Sequence, residues 1–379
     1  MQRTLKKKAL AQASALAFGL VAAAGAQALT ANEIEIHGFF TAGATISDAD
    51  KVYLRTTDDD ISFDEDSVLG LQIIVPVDEK ITLQAQLLGN GSRESDTNFE
   101  VKVDWAFAGY QVNDNLTIRA GRIRAPLLMH MEYIEAGYAY PWIRGPQEVY
   151  GLVPFNSFDG VDALFTVPVG DFEFSFQPFI GSKDEELSVQ QLGLVIDTEL
   201  DNIMGAKFSL NNDYVNFVAS YASLEFSFDE NNVLFLPPSP FAAPTDREVD
   251  VFNVGLTVDW NNLIFMSEYA KVKIENAPLG EMPVPTNTAW YATAGYRFGN
   301  VMPHITYAEL DTENNIFGSA SKTVTLGVRY ELGDASALKV EWANVEARDN
   351  TGGLFGPDAH PNHFNDDADV FSVALDVTF

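Results

Sequence analysis

Lys80-Ile81-Thr82-Leu83-Gln84-Ala85-Gln86-Leu87 alternates without a break. Ile81, Leu83, Ala85 and Leu87 point one way; Thr82, Gln84 and Gln86 point the other. That two-residue period belongs to a β-strand with one apolar and one polar face. The same pattern recurs to either side. Ile34, Ile36, Phe40 and Ala42 alternate with Glu33, Glu35, His37 and Thr41. Val101, Val103, Trp105 and Phe107 read as the apolar phase against Lys102, Asp104 and Ala106. Phe172, Phe174 and Phe176, then Val324 to Tyr330, then Phe371 to Phe379 repeat it.

A water-soluble sandwich would alternate too. The connections argue against one. Short turns (Val77 to Lys80, Gln111 to Asn115, Val169 to Asp171, Asn261-Asn262) alternate with long acidic segments rich in Pro, Gly and Asn. The long segments are 46–66, 125–157, 182–201, 229–246, 276–286 and 349–367. Short turns on one rim and long loops on the other are the pattern of a transmembrane β-barrel. On this rule the fold is all-β, an antiparallel barrel of about 16 strands. They are expected at 33–45, 67–77, 80–90, 98–110, 115–124, 158–168, 171–181, 202–210, 214–228, 247–259, 262–275, 287–298, 301–312, 321–333, 336–348 and 368–379. The segment 182–201 is expected as loop, with room for a short helix. Eighteen strands is the alternative if another lies within a loop. A barrel of this size leaves a water-filled lumen, so the apolar face is lipid-facing and the polar face lines the pore.

Composition agrees by exclusion. The chain has 379 residues and 46% hydrophobic ones, too many for disorder. No stretch after the N-terminus reaches the ~18–20 apolar residues of a spanning helix. Lys and Arg number 23 against 54 Asp and Glu, a net charge of −31, so no basic face for nucleic acid is expected. Cysteine is absent, which excludes thiolate chemistry. Residues 1–28 read as a Sec signal peptide: Arg3, Lys6, Lys7 and Lys8, then an apolar stretch from Ala9 to Ala24, then Ala26-Gln27-Ala28. Residues 29–379 form one barrel domain. Removing the four basic residues of 1–28 from 23 leaves 19 against 54 acidic, a net of −35.

The terminal Phe379 after Val373, Leu375 and Val377 resembles the C-terminal signature of Gram-negative outer-membrane proteins. Arg119-Ala-Gly-Arg122-Ile-Arg124-Ala-Pro126, followed by Glu132, Tyr140-Pro141 and Pro146 to Tyr150, resembles the strand-five and third-loop region of Gram-negative porins. It is similar to the branch with an R-x-G-R-x-[RK]-x-P stretch. The resemblance implies a third loop folded into the lumen, an outer-membrane location among lipid and lipopolysaccharide, and a homotrimer. It also implies passive diffusion of small hydrophilic solutes and ions, with no cofactor. The alternative is a substrate-selective channel for organic acids or aromatic compounds.

The third loop, 125–157, is unusually apolar for a surface segment: Leu127, Leu128, Met129, Met131, Tyr138 and Trp142 all fall in it. It is therefore expected to pack against the inner wall. The expected constriction sets Arg119, Arg122, Arg124 and Arg144 against Glu132, Glu135 and Glu148, with Tyr133 and Tyr140 beside them. Opposed charges across a narrow pore orient dipolar solutes and set ion preference. The plainer reading is that some of these arginines tie the loop to the wall. Asp58-Asp59-Asp60 and Asp64-Glu65-Asp66 offer a place for Ca²⁺ or a lipopolysaccharide-bridging cation, although no EF-hand spacing is present. A solvated acidic loop is the plainer reading there too. His360 and His363 lack the helical frame of a metal site. No G-x-S-x-G or other catalytic motif occurs, so no enzyme is expected.

Overall fold

A computed structural model describes residues 34–49, 52–54, 57–91, 101–153, 155–189, 194–228, 247–274, 286–313, 319–355 and 367–379. The signal peptide expected at 1–28 and the pair His360 and His363 lie outside the described residues. Sixteen antiparallel strands close into one barrel, each paired with its sequence neighbours and β16 with β1. They are β1 (Glu35–Ser47), β2 (Val68–Pro76), β3 (Ile81–Asn90), β4 (Val101–Asn113), β5 (Leu116–Arg124), β6 (Ser157–Val169), β7 (Phe172–Val189), β8 (Leu194–Asn211), β9 (Val215–Phe228), β10 (Arg247–Trp260), β11 (Leu263–Ile274), β12 (Asn287–Tyr296), β13 (Val301–Thr312), β14 (Ser321–Gly333), β15 (Ser336–Ala347) and β16 (Asp367–Thr378). Closure removes every sheet edge, which a lipid environment requires. The chain terminus takes part. Gly38 N donates to Phe379 O at 2.8 Å and Phe379 N to Gly38 O at 2.9 Å. A Cβ on Gly38 would lie 2.3 Å from the Phe379 ring, so glycine leaves room for that ring against β1 where it stands. Among the described residues no helix is long and apolar enough to cross a membrane.

The outside is apolar, the reverse of a water-soluble protein. Ile36, Phe40, Leu69, Val161, Ile180, Met204, Ile305, Val340 and Val373 are all exposed large hydrophobics. Aromatic residues collect at the short-turn rim: Tyr110, Tyr214, Trp260, Tyr296, Phe298, Tyr330 and Phe379. A second set, with Tyr221, Phe252, Tyr269 and Trp290, stands further toward the long loops. Such girdles mark the two membrane interfaces. The short turns are tight because Gly170 (φ 64°), Asn261 (φ 54°) and Gly299 (φ 62°) adopt the left-handed conformation.

Two expectations need correction. Residues 182–189 and 194–201 are not a loop or helix, nor an extra strand. β7 and β8 continue through them as one long hairpin, paired from Lys183↔Leu200 to Val189↔Leu194 after a register shift at Gly181/Lys183. The acidic run Asp184-Glu185-Glu186 mimics a loop in the sequence, yet its backbone is paired in the β7–β8 ladder. The second correction concerns β4. Register shifts between Gln86 and Leu87, so Val103 opposes Leu87 while Trp105 opposes Gln86 and Phe107 opposes Gln84. The bulge turns Trp105 and Phe107 inward, and Trp105 is buried. The unbroken apolar phase read across Val101 to Phe107 is therefore two phases.

Candidate functional site: a loop fastened inside the barrel

The connection from β5 to β6 occupies the lumen. Leu127, Leu128, Met129, Met131, Trp142 and Val149 are all at most 2% exposed. A 3-10 turn at Gly137–Ala139 touches β1 and β16, and a helical turn at Gln147–Tyr150 touches β11, β12 and β13. Apolar burial alone would allow many poses. Hydrogen bonds from inward wall residues to the loop backbone select one. Lys339 Nζ on β15 donates to Gly137 O (2.7 Å) and Trp142 O (2.6 Å), and its charge meets Asp376 at 2.8 Å. Arg329 Nη1 on β14 donates to Tyr138 O (2.5 Å) and Tyr140 O (2.6 Å). Glu341 accepts from Ile143 N at 2.8 Å. Glu268 on β11 is a hub: Oε1 accepts from Met129 N (2.7 Å) and Asn253 Nδ2 (2.8 Å), Oε2 from the Tyr150 hydroxyl (2.5 Å). Trp142 Nε1 donates to Thr293 Oγ1 at 3.0 Å, Thr323 Oγ1 to Glu148, and Ser220 Oγ to Leu127 O. These bonds satisfy backbone groups that a loop buried at membrane depth would otherwise leave unpaired.

The nine residues expected at the constriction divide into groups. Arg144 makes a two-pronged bond to Asp66 of the first loop, at 2.7 and 2.6 Å, and stands 5.9 Å from the centre of the Tyr53 ring. Burial alone would lower its pKa, but Asp66 and Glu65 outweigh that and raise it, so the guanidinium stays charged. Asp66, which the sequence grouped with a cation-binding cluster, thus takes an arginine. Glu148 is buried, and burial pushes its carboxyl above the usual range. Glu135 is buried as well. Arg124 reaches Asp104 at 3.1 Å, and Asp104 accepts a further bond from Gln86. Arg119 pairs with Asp162 directly across the β5–β6 ladder, Nε to Oδ1 at 2.9 Å, and lies 5.0 Å from the centre of the inward Phe107 ring. Glu132 meets Lys207 of β8 at 2.8 Å. Burial pushes the Glu132 carboxyl up, but Lys207 prevails and holds it below the usual range.

Arg122 stands apart from all of these. It opposes Asp159 in the ladder and pairs with it at 2.9 Å, both half-exposed. The outward Ile118 and Val161 share that face.

The aromatic residues form one stack. Tyr133 and Tyr140 lie parallel, centroids 5.7 Å apart and planes 2° apart; Tyr140 then stacks on Trp142 at 4.9 Å. His130 sits edge-on to Tyr133, Tyr140 and Trp142. Burial, with the nearby Lys207 charge, drops the His130 pKa to about 3, so its ring is neutral. Tyr133, at the end of the stack, keeps 42% exposure. Its neighbourhood is a recess of about 230 Å³ between the loop and the wall of β6 to β9. Ser175, Gln177, Lys207, Ser209, Asn211 and Asn216 line its wall side with the apolar Leu164 and Val218, and Glu132 lines its loop side. A smaller recess of about 80 Å³ separates the first and third loops.

The sequence did not single out Glu268, Ser220, Thr293 or Thr323 as fastening residues. Their only signal is a polar residue in the inward phase, shared with dozens of others. Among the described residues no group of three or more His, Asp or Glu is placed to hold a metal ion.

The model of the family described as Gram-negative porin matches residues 13–374. No curated protein matches the chain. Solved structures similar to it include the Salmonella typhi OmpF complex with daunomycin, with a TM-score of 0.59 and 14% identity over 91% of this chain and 97% of that one. The outer membrane channel DcaP of Acinetobacter baumannii has a TM-score of 0.59 at 13% identity, over 91% of this chain and 97% of that one. The anion-selective porin from Comamonas acidovorans has a TM-score of 0.56 at 14% identity, over 91% and 99%. At such identities the likeness extends to the fold.

Proposed function

The chain belongs to the Gram-negative porin family, and we propose that it forms a water-filled channel for passive diffusion of small hydrophilic solutes and ions across the outer membrane. The observation that carries this reading is the lumen wall beside Tyr133, where hydroxyls and amides outnumber charges and each lining charge has a partner. Such a wall hydrates a solute without trapping it, which conduction requires. The third loop is the size filter, held by wall-to-backbone bonds. Arg119 with Asp162 and Lys207 with Glu132 are the charged groups nearest the route. Arg124, Arg144, Glu135 and Glu148 hold the frame, and Arg122 lies outside it.

The homotrimer is part of the proposal; one of the similar structures, OmpT of Vibrio cholerae, is described in a trimer form. A separate proposal is that carboxylates of the first loop, Asp58 to Asp60, bridge divalent cations to lipopolysaccharide phosphate. A lowered unfolding temperature on chelation, absent in the triple Asn variant, tests it. The channel itself is tested in planar bilayers. Stable ohmic steps in KCl support it, and steps grouped in threes support the trimer. A correctly folded barrel with no conductance would refute it.

A further inference from the structure

The recess beside Tyr133 brings together one set of recognition groups. At about 230 Å³ it far exceeds the roughly 10–15 Å³ that one water needs. One side is the Tyr133 ring. Its inner face is stacked on Tyr140, and its exposure leaves the other face to the recess. The opposite side is the wall of β7 to β9. Asn211 and Asn216 face each other across the β8–β9 ladder, and the Oδ1 atom of each is buried without a hydrogen-bond partner. Rotation about χ2, which is soft for an amide side chain, turns either group toward a solute. Ser209 adds a hydroxyl. The charges lining the recess are Glu132 and Lys207, 2.8 Å apart, and each cancels the other. Arg119, a further cation acting on Glu132, is committed to Asp162.

An open aromatic face, opposing amides and hydroxyls, and no net charge together complement a neutral polyhydroxylated solute. A sugar ring offers an apolar C–H face for the tyrosine and hydroxyls that donate to the amide oxygens. An organic anion would find no uncompensated cation here. We infer that this recess is a binding subsite for sugars on the conduction route, an inference that rests on the channel reading above and names its solute class.

The test uses the full barrel in planar bilayers, titrated with maltose as the probe and benzoate as the anionic aromatic comparison. Maltose is expected to reduce the current saturably, and benzoate to leave it unchanged. Tyr133→Ala should weaken the maltose block about tenfold, the size of losing one aromatic contact near 1.4 kcal/mol. Tyr133→Phe keeps the ring and should keep the block; Asn216→Leu should weaken it. A conducting channel whose current maltose does not alter, or a block equal in wild type and Tyr133→Ala, overturns the subsite and leaves the channel. Calorimetry on the detergent-solubilised barrel separates the two readings. Maltose binding without conductance would refute the channel and keep the subsite, whereas a folded barrel that neither conducts nor binds maltose removes both.

Discussion

The two sides of the lumen use charge in opposite ways. On the wall of β11, β14 and β15, the inward charges Glu268, Arg329, Lys339 and Glu341 hydrogen-bond to the third loop, mostly to its backbone. On the wall of β5 to β9, Arg119 and Asp162 pair within the sheet, Lys207 meets Glu132 of the loop, and the other polar residues lining the recess are hydroxyls and amides. The first wall is a fastening and the second is a passage. The same inward phase of alternating polar residues therefore serves two purposes, decided by whether the loop lies against it.

Breaking the fastening should have the largest effect. Lys339→Met removes two loop bonds and leaves Asp376 buried without its cation, which costs about 3–5 kcal/mol. Urea unfolding in micelles would show the loss, and single-channel records would show a noisier open state as Gly137 and Trp142 come free.

The loop's interior offers a gentler perturbation through pH. His130 packs against Tyr133, Tyr140, Trp142 and Tyr150, with the Lys207 charge nearby. Its folded pKa is about 3 against 6.5 ordinarily. Between those values the unfolded chain takes up a proton that the folded one refuses. This contribution to stability is full above about pH 6.5 and declines as pH falls toward 3. The unfolding midpoint of the parent should drop more over that window than that of His130→Phe.

On the passage wall a substitution should alter transport more than stability. Asp162→Asn leaves Arg119 as an uncompensated cation beside the route, and the reversal potential in a KCl gradient should move toward chloride. An unchanged potential would place Arg119 outside the ion path. The smallest effect belongs to the outer face. Arg122→Ala removes a half-exposed pair, should change stability by less than about 1 kcal/mol, and should leave conductance as it was.

Much of this barrel was legible because a lipid-facing strand must alternate. All sixteen expected segments became strands, most with ends moved by a few residues, while β7 and β8 each extend eight residues further into 182–201. The inward folding of the third loop was legible as well, since Leu127 to Met131 and Trp142 are too apolar for a loop in water. What stayed hidden depends on register. The bulge beside Gln86 carries no Gly or Pro to announce it, so Trp105 and Phe107 kept the wrong face. Arg119 and Arg122 sit three residues apart, an odd spacing that puts them on opposite faces of a regular strand, but Arg122 lies near the expected strand end, and pairing to Asp159 shows that the alternation holds that far. Asp184 to Glu186 looked like loop because a run of acidic residues breaks the apolar alternation, yet backbone pairing between β7 and β8 does not require that alternation. Glu268 and Thr323 became recognisable only when the loop backbone was found against them.

The division of the lumen into a passage and a fastening is open to one direct measurement. The chain has no cysteine, so single thiols can be placed without background. Ser175 lines the recess on the passage wall, and Thr306 lies buried beside Thr293, which holds Trp142. Ser175→Cys should react with a water-soluble methanethiosulfonate during conduction and lose current, while Thr306→Cys should not react. Rapid modification of Thr306→Cys with Ser175→Cys untouched would contradict a route along β6 to β9 and place it through the wall now assigned to the loop.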